Sequence, residues 1–409
     1  MKHLFYQTHT LSNGLRIIHR PFPSEISYCG VAINTGTRDE YPEEFGMAHF
    51  VEHMLFKGTR KRKAHHISGR MENVGGELNA YTTKEETFIY ATFLSEYFER
   101  ATELLSDVVL HSTFPEHQIE KEKEVILDEI NSYIDSPSEL IFDDFENLLF
   151  PNHEIGHYIL GDPESLFTFH SEKVKQFVSR QYQPSNMVFF SFGKTPFEKV
   201  VRFAEKHFSF PEIALEFKER VAPVEISAKQ LVLKKNTAQS HVMLGTRGYD
   251  MHHPMRYPLF LLNNILGGGN LNSRLNNSLR EKNGLVYHVE ANVTFYTDTG
   301  VFAVYFACDP KYTEKCIRLV KKEWDKLCDV ALTPQQLSIA KKQWKGQIGI
   351  ASENNESTSL TMAKSFLHLH TFESFEEVFA RIDAITSDEI REAANDLFRN
   401  HPHFELRYT

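Results

Sequence analysis

From Phe45 to Phe56 the chain is an apolar run interrupted only by His49, Glu52 and His53, with Gly46 at its start. Apolar side chains on nearly every side of a helix predict that the whole segment is buried, not one face alone. Upstream, Asn13-Gly14 is a hairpin turn signal ahead of the run Leu15 to Ile18, and 28–34 is apolar and β-prone, so 8–35 predicts strands. A short helix over 65–73 meets a stop at Gly75-Gly76, Glu77 to Thr82 follow, then come a strand at 87–94 and a helix over 96–109. Pro115 opens the next helix, which continues through Ile119, Ile126, Ile130 and Ile134. A helix over 172–181, a strand over 187–192 and a helix to about 207 complete the first half.

The same order then returns. Strands near 231–233 and 241–244 lead into an apolar helix over 257–266, and a strand at 301–307 leads into a helix over 312–327. Leu332-Thr333-Pro334 opens a long helix as Thr113-Phe114-Pro115 does, and 386–398 followed by 404–408 repeats the helix-then-strand ending. The pattern predicts an α+β fold, a tandem duplication of two similar units, each a sheet with helices packed on it. Residues 1–210 form the first domain, 211–228, charged and irregular, a linker, and 229–409 the second.

A helix brings His49 and His53, four apart, onto one face, so both rings can aim a nitrogen at one metal ion. Glu52 can reach the same pocket without having to be a ligand itself. Buried polar groups need partners, and core histidines bonded to backbone carbonyls are the plain alternative. The intervening glutamate favours the metal, because H-x-x-E-H reverses the zincin spacing. Zinc held by two neutral imidazoles and a carboxylate keeps a net positive charge and lowers the pKa of water in its open position to about 7. Glu52 would accept that proton and pass it to the leaving amine. The third ligand must come from elsewhere. Glu122 and Glu129 fall one above the other beside the isoleucine stripe, yet Glu116, Glu120, Glu124 and Asp128 crowd the same helix, and spacing within it does not choose. The second copy carries Leu259 to Asn264 where the first carries His49 to His53, with no His or Glu, so one half does the chemistry.

At 409 residues the chain exceeds one ordinary core and fits two domains. A formal charge of −10 disfavours nucleic acid and is compatible with cationic or neutral peptides. The one basic run, Lys57 to Lys63, reads as a solvated loop. No stretch nears the roughly 20 apolar residues of a membrane span. The N-terminus has neither a signal-peptide core nor transit-peptide character, and the four cysteines lack metal-ribbon spacing. The expected location is the cytoplasm.

With these residues in view the chain resembles the pitrilysin-family zinc metallopeptidases, the group of insulin-degrading enzyme and the mitochondrial processing peptidases. The resemblance rests on His49-Phe50-Val51-Glu52-His53, on Glu129 standing 76 positions after His53 (129 − 53), on Glu122 one heptad earlier, and on Gly76-Glu77-Leu78-Asn79-Ala80-Tyr81-Thr82. It implies His49, His53 and Glu129 as ligands of one Zn2+ per chain, Glu52 as the base, and Glu122 as an acid that orients the site. It implies further that Asn79 and Ala80 lie on an edge strand receiving the substrate backbone by β-addition. In the second half, 272–275 and 279–287 resemble the family's Arg/Tyr segment, which implies that Arg280 and Tyr287 hold the substrate carbonyl and stabilise the oxyanion. Gly267-Gly268-Gly269 follows a helix and has no P-loop lysine, so it reads as a hinge.

By the same likeness a chain of this length is half of a clamshell-like chamber. It would form a homodimer, with Arg280 and Tyr287 serving the partner's zinc site, and a heterodimer with a related chain also fits. The expected function is a zinc-dependent endopeptidase acting on oligopeptides or unfolded segments. The competing class is a non-catalytic scaffold; relatives of that kind have typically lost ligands or the base, and here all are present.

Overall fold

The strand at 187–193 reads Met-Val-Phe-Phe-Ser-Phe-Gly and is buried at every position, and a strand with no polar face must be covered on both sides. The computed structural model, which describes residues 5–211 and 217–409, shows how. The middle of the expected linker, 212–216, lies outside the described residues. The chain divides into two compact units, Met1–Asn131 with His157–Arg220 and Ala351–Phe372, and Ser132–Gly156 with Val221–Ile350 and Glu373–Thr409.

The first unit holds a six-stranded sheet of β1 (Gln7–Thr10), β2 (Arg16–Pro21), β3 (Ile26–Ile33), β4 (Glu77–Thr82), β5 (Thr87–Leu94) and β6 (Met187–Gly193), in the order β1-β2-β6-β3-β5-β4. β2 and β6 run parallel, and the other pairs are antiparallel. Side chains alternate across the sheet. Val31, Ile33 and Phe189 enter the main core with the helices Met47–Leu55 and Phe98–His111. Ala32, Phe88, Val188 and Phe190 face the other way, where Met362, Ala363, Phe366 and Leu367 of the helix Asn355–Leu369 cover them.

The second unit repeats this plan with β7 (Lys229–Leu233), β8 (Ser240–Gly248), β9 (Val286–Phe295), β10 (Gly300–Cys308) and β11 (Phe404–Tyr408) in the order β7-β11-β8-β10-β9. Position for position this is β2-β6-β3-β5-β4, and its parallel pair, β7 with β11, takes the place of β2 with β6. Phe302, Val304 and Phe306 face the helices Arg256–Gly267 and Thr313–Asp329, whose Leu259, Leu262, Ile317 and Val320 share their cluster. Val301, Ala303 and Tyr305 face Ile141, Phe145 and Leu148 of the helix Pro137–Leu149. The duplicated α+β fold is therefore present in full.

Each sheet's second cover comes from the opposite half of the sequence. The change between units at Arg220 and Val221 falls within the expected linker, while 132–156 and 351–372 cross it reciprocally. Among the described residues no helix is long and apolar enough to cross a membrane, and the four cysteines are free and buried.

Candidate active site

The helix Met47–Leu55 starts at Gly46, whose φ of +88° suits a residue without a side chain. A Cβ there would also lie 2.8 Å from the Cα of Gly161. The buried carboxylate of Glu40 caps this start, accepting from the backbone N–H of Gly46 at 2.9 Å and of Ala48 at 2.8 Å. Met47, Ala48, Phe50, Val51, Met54 and Leu55 are buried around it. With its roll fixed by packing, the helix holds its polar residues in one direction.

His49 and His53 lie side by side with ring centroids 4.6 Å apart. Glu129, from the helix Glu116–Ile134, comes to both: its Oε1 is 3.8 Å from His49 Nε2 and its Oε2 is 3.7 Å from His53 Nε2. One ligand atom from each of the three residues lies within 4.8 Å of the other two, the one such group among the described residues. These separations are too long for hydrogen bonds, yet two zinc–ligand bonds of about 2.1 Å meeting at a tetrahedral angle span roughly 3.4 Å. Two imidazole nitrogens and a carboxylate make a donor set that zinc accepts, so the residues present fit the metal.

The surroundings differ from one donor to the next. Glu122, 4% exposed, accepts from His53 Nδ1 at 2.9 Å and meets the Lys57 ammonium at 2.6 Å. That bond fixes which ring nitrogen of His53 faces Glu129. His49 Nδ1 is buried with no hydrogen-bond partner, so packing alone sets that ring. Burial, helped by the neighbouring His53 and opposed by Glu122, pulls the His49 imidazole down to about 3 and keeps it neutral, as a ligand must be. For His53 burial acts in the same sense, but the Glu122 hydrogen bond and the charges of Glu129, Glu122 and Glu52 outweigh it and hold the pKa above its ordinary value. Burial also raises Glu52 above the usual carboxylate range, against the hydrogen bond that its Oε2 accepts from Thr82 Oγ1 at 2.6 Å.

β4 is the outer strand of its sheet, so Asn79 and Ala80 lie on an edge, partly exposed. Arg280 and Tyr287 form their own pair in the second unit, with the guanidinium 5.7 Å from the centre of the tyrosine ring and Tyr287 85% exposed on β9.

Against known proteins, residues 17–163 match the insulinase family, peptidase family M16, and residues 168–344 match the peptidase M16 inactive domain. The uncharacterized zinc protease YmxG of Bacillus subtilis is 32% identical over 95% of both chains. An uncharacterized zinc protease of Streptomyces coelicolor is 31% identical over 96% of this chain and 87% of its own. The chain belongs to peptidase family M16.

Solved structures share its fold. A protease from Helicobacter pylori superposes with a TM-score of 0.92 at 21% identity over 99% of both chains. A peptidase M16 inactive domain from Pseudomonas fluorescens gives 0.91 at 20% identity over 99% of this chain and 98% of that one. These two likenesses concern the fold. Within this M16 chain the segment that matches the inactive domain includes the apolar helix Arg256–Gly267, which carries no His or Glu.

Three site residues escape sequence reasoning. Lys57 is read there as part of a solvated loop, but its ammonium is spent on Glu122. Thr82, quoted only within a motif, bonds Glu52. Glu40 carries no signal at all, because a capping carboxylate six residues before its partner looks like any loop acid.

Proposed function

We propose that this chain is a zinc-dependent endopeptidase that hydrolyses oligopeptides or unfolded peptide segments. The convergence of His49, His53 and Glu129 beside Glu52 carries the reading, and the zinc proteases among its relatives support it. His49, His53 and Glu129 would hold one Zn2+ per chain. When bound, zinc supplies Lewis acidity that eases the loss of a proton from water.

The remaining work falls to this chain's own groups. Glu52 accepts the water proton on the oxygen that Thr82 leaves unbonded, then delivers it to the departing amine nitrogen. Glu122 fixes the ring of His53. An extended substrate would add to the edge of β4, its backbone bonding near Asn79 and Ala80. Arg280 and Tyr287 would hold the carbonyl oxygen as it gains charge. Because both the metal residues and this pair reside in one chain, we assign a homodimer in which each Arg280 and Tyr287 serve the partner's zinc site within a closed chamber; pairing with a related chain uses the same residues. Free buried cysteines support a reducing, cytoplasmic setting.

Cleavage of a quenched fluorescent peptide pool, with and without a chelator, tests the reading, with Glu52→Gln as control. Turnover that a chelator abolishes and Glu52→Gln lacks is the expected result. Peptide turnover indifferent to both would overturn it, and no turnover at all would leave the scaffold class standing.

A further inference from the structure

Glu52 is bonded by the same strand that bears Asn79 and Ala80. Thr82 Oγ1 donates to Glu52 Oε2 at 2.6 Å, and Thr82 closes β4, pairing with Thr87 in the last rung of the β4–β5 ladder. That rung is the closed end of the hairpin, next to the turn. Here it is held from inside and out. The N–H of Thr83 bonds the Glu86 carbonyl at 2.8 Å, and the Thr83 hydroxyl accepts from the N–H of Glu86 at 3.1 Å.

Three charged turn residues follow, and each is gripped by a different segment. Arg38 donates to Glu85 at 2.6 Å, and Arg220 donates to the Glu85 carbonyl at 2.8 Å. Lys84 donates to the carbonyl of His157. Glu86 meets Lys364 and, at 3.1 Å, the Nε2 of His368, both from the helix that the second half of the sequence contributes. Lys84, Glu85 and Glu86 are only 4%, 2% and 2% exposed. A four-residue turn needs nothing of this kind, since small polar residues close hairpins without burying charge, and buried ion pairs are weak contributors to stability. Such a cage does fix the position of the residue just before the turn.

We infer that Thr82 is a positioning residue for Glu52, tying the base to the strand on whose edge the substrate is registered. This rests on the peptidase reading above. Ala80 and Thr82 are two residues apart, about 7 Å along a strand, so a backbone bonded to the edge of β4 lies at a set distance from the hydroxyl that holds the base. One oxygen of Glu52 is bonded to Thr82 and the other is left to take a proton. Without the hydroxyl the carboxylate turns about its own side-chain bonds, and its approach to the attacking water no longer follows the substrate's register.

The test compares Thr82→Val, which keeps the shape and removes the hydroxyl, with Thr82→Ser, which keeps the hydroxyl, both in the full zinc-loaded chain and beside Glu52→Gln. The readouts are kcat and KM on a quenched peptide, zinc affinity by chelator competition, and the melting temperature. The expected result for Thr82→Val is a kcat lower by about 10- to 100-fold, with KM within about two-fold and zinc affinity unmoved. Thr82→Ser returns kcat to within about three-fold of the parent. A Thr82→Val chain with parental kcat overturns the inference, as does a loss that serine does not rescue or that zinc affinity shares. If Glu52→Gln keeps full turnover, the peptidase reading falls and takes the inference with it. If Glu52→Gln is inactive while Thr82→Val is unimpaired, only the inference falls.

Discussion

The ammonium of Lys57 sits 2.6 Å from Oε2 of Glu122, on the far side of the carboxylate from the His53 ring. A buried carboxylate is stable only when paired, so Lys57 keeps Glu122 charged and aimed. Burial would raise the Glu122 pKa, but the bonds to His53 and Lys57 outweigh it and hold the pKa below the usual range. Lys57→Met should therefore weaken zinc binding by about 10- to 100-fold, read by competition with a chromophoric chelator. Unchanged affinity would reduce Lys57 to a surface cation.

Trans-acting pairs can be tested by mixing. Arg280→Ala and Glu52→Gln should each be inactive alone. After random subunit exchange half the dimers are mixed, and each mixed dimer has one intact site, so activity should recover to roughly a quarter of the parent's. No recovery under conditions of demonstrated exchange would show that the pair does not act across two copies.

Acid stability follows from buried groups away from His49, His53 and Glu129. Burial, opposed by the Ser191 contact and others, takes the His19 pKa down to about 4. The unfolded chain binds the proton near pH 6.5 and the folded chain only near pH 4, so stability is complete above about 6.5 and falls as the pH drops toward 4. The loss reaches about 3 kcal/mol. Glu86 adds a second, lower window: burial would raise it, but the His368 bond and the Lys364 charge pull it to about 2, so its contribution is lost as the pH falls from about 4.5. Chemical denaturation at stepped pH should show the upper slope flattened in His19→Gln; an identical slope would assign it elsewhere.

The exchanged helices also make a prediction. Phe145 of the helix Pro137–Leu149 is fully buried against the second sheet. Phe145→Ala should cost about 3–5 kcal/mol, the range for emptying a phenylalanine site. A cost under about 1 kcal/mol would mean that the helix contributes little to that unit.

Particular residues show what the sequence made legible. His49, Glu52 and His53 stand out because polar groups interrupt an apolar run, and the duplication shows because helix and strand periods recur in order. Glu129 emerges only through the family spacing, since five neighbouring acids share its helix and periodicity treats them alike. The helices over 137–149 and 355–369 carry apolar faces, but a face says that something packs there and not which sheet. A strand such as β6, buried at every position, calls for a second cover without naming it. Lys57 and Thr82 act through single contacts 65 and 30 positions distant (122 − 57; 82 − 52), beyond any local pattern.

Zinc titration of the metal-stripped chain, run beside Glu129→Gln, bears most directly on whether His49, His53 and Glu129 form one metal seat. One zinc per parent chain, with affinity sharply reduced in Glu129→Gln, is the expected outcome. A parent chain that takes up no zinc, or a Glu129→Gln chain that binds it as tightly as the parent, would contradict it.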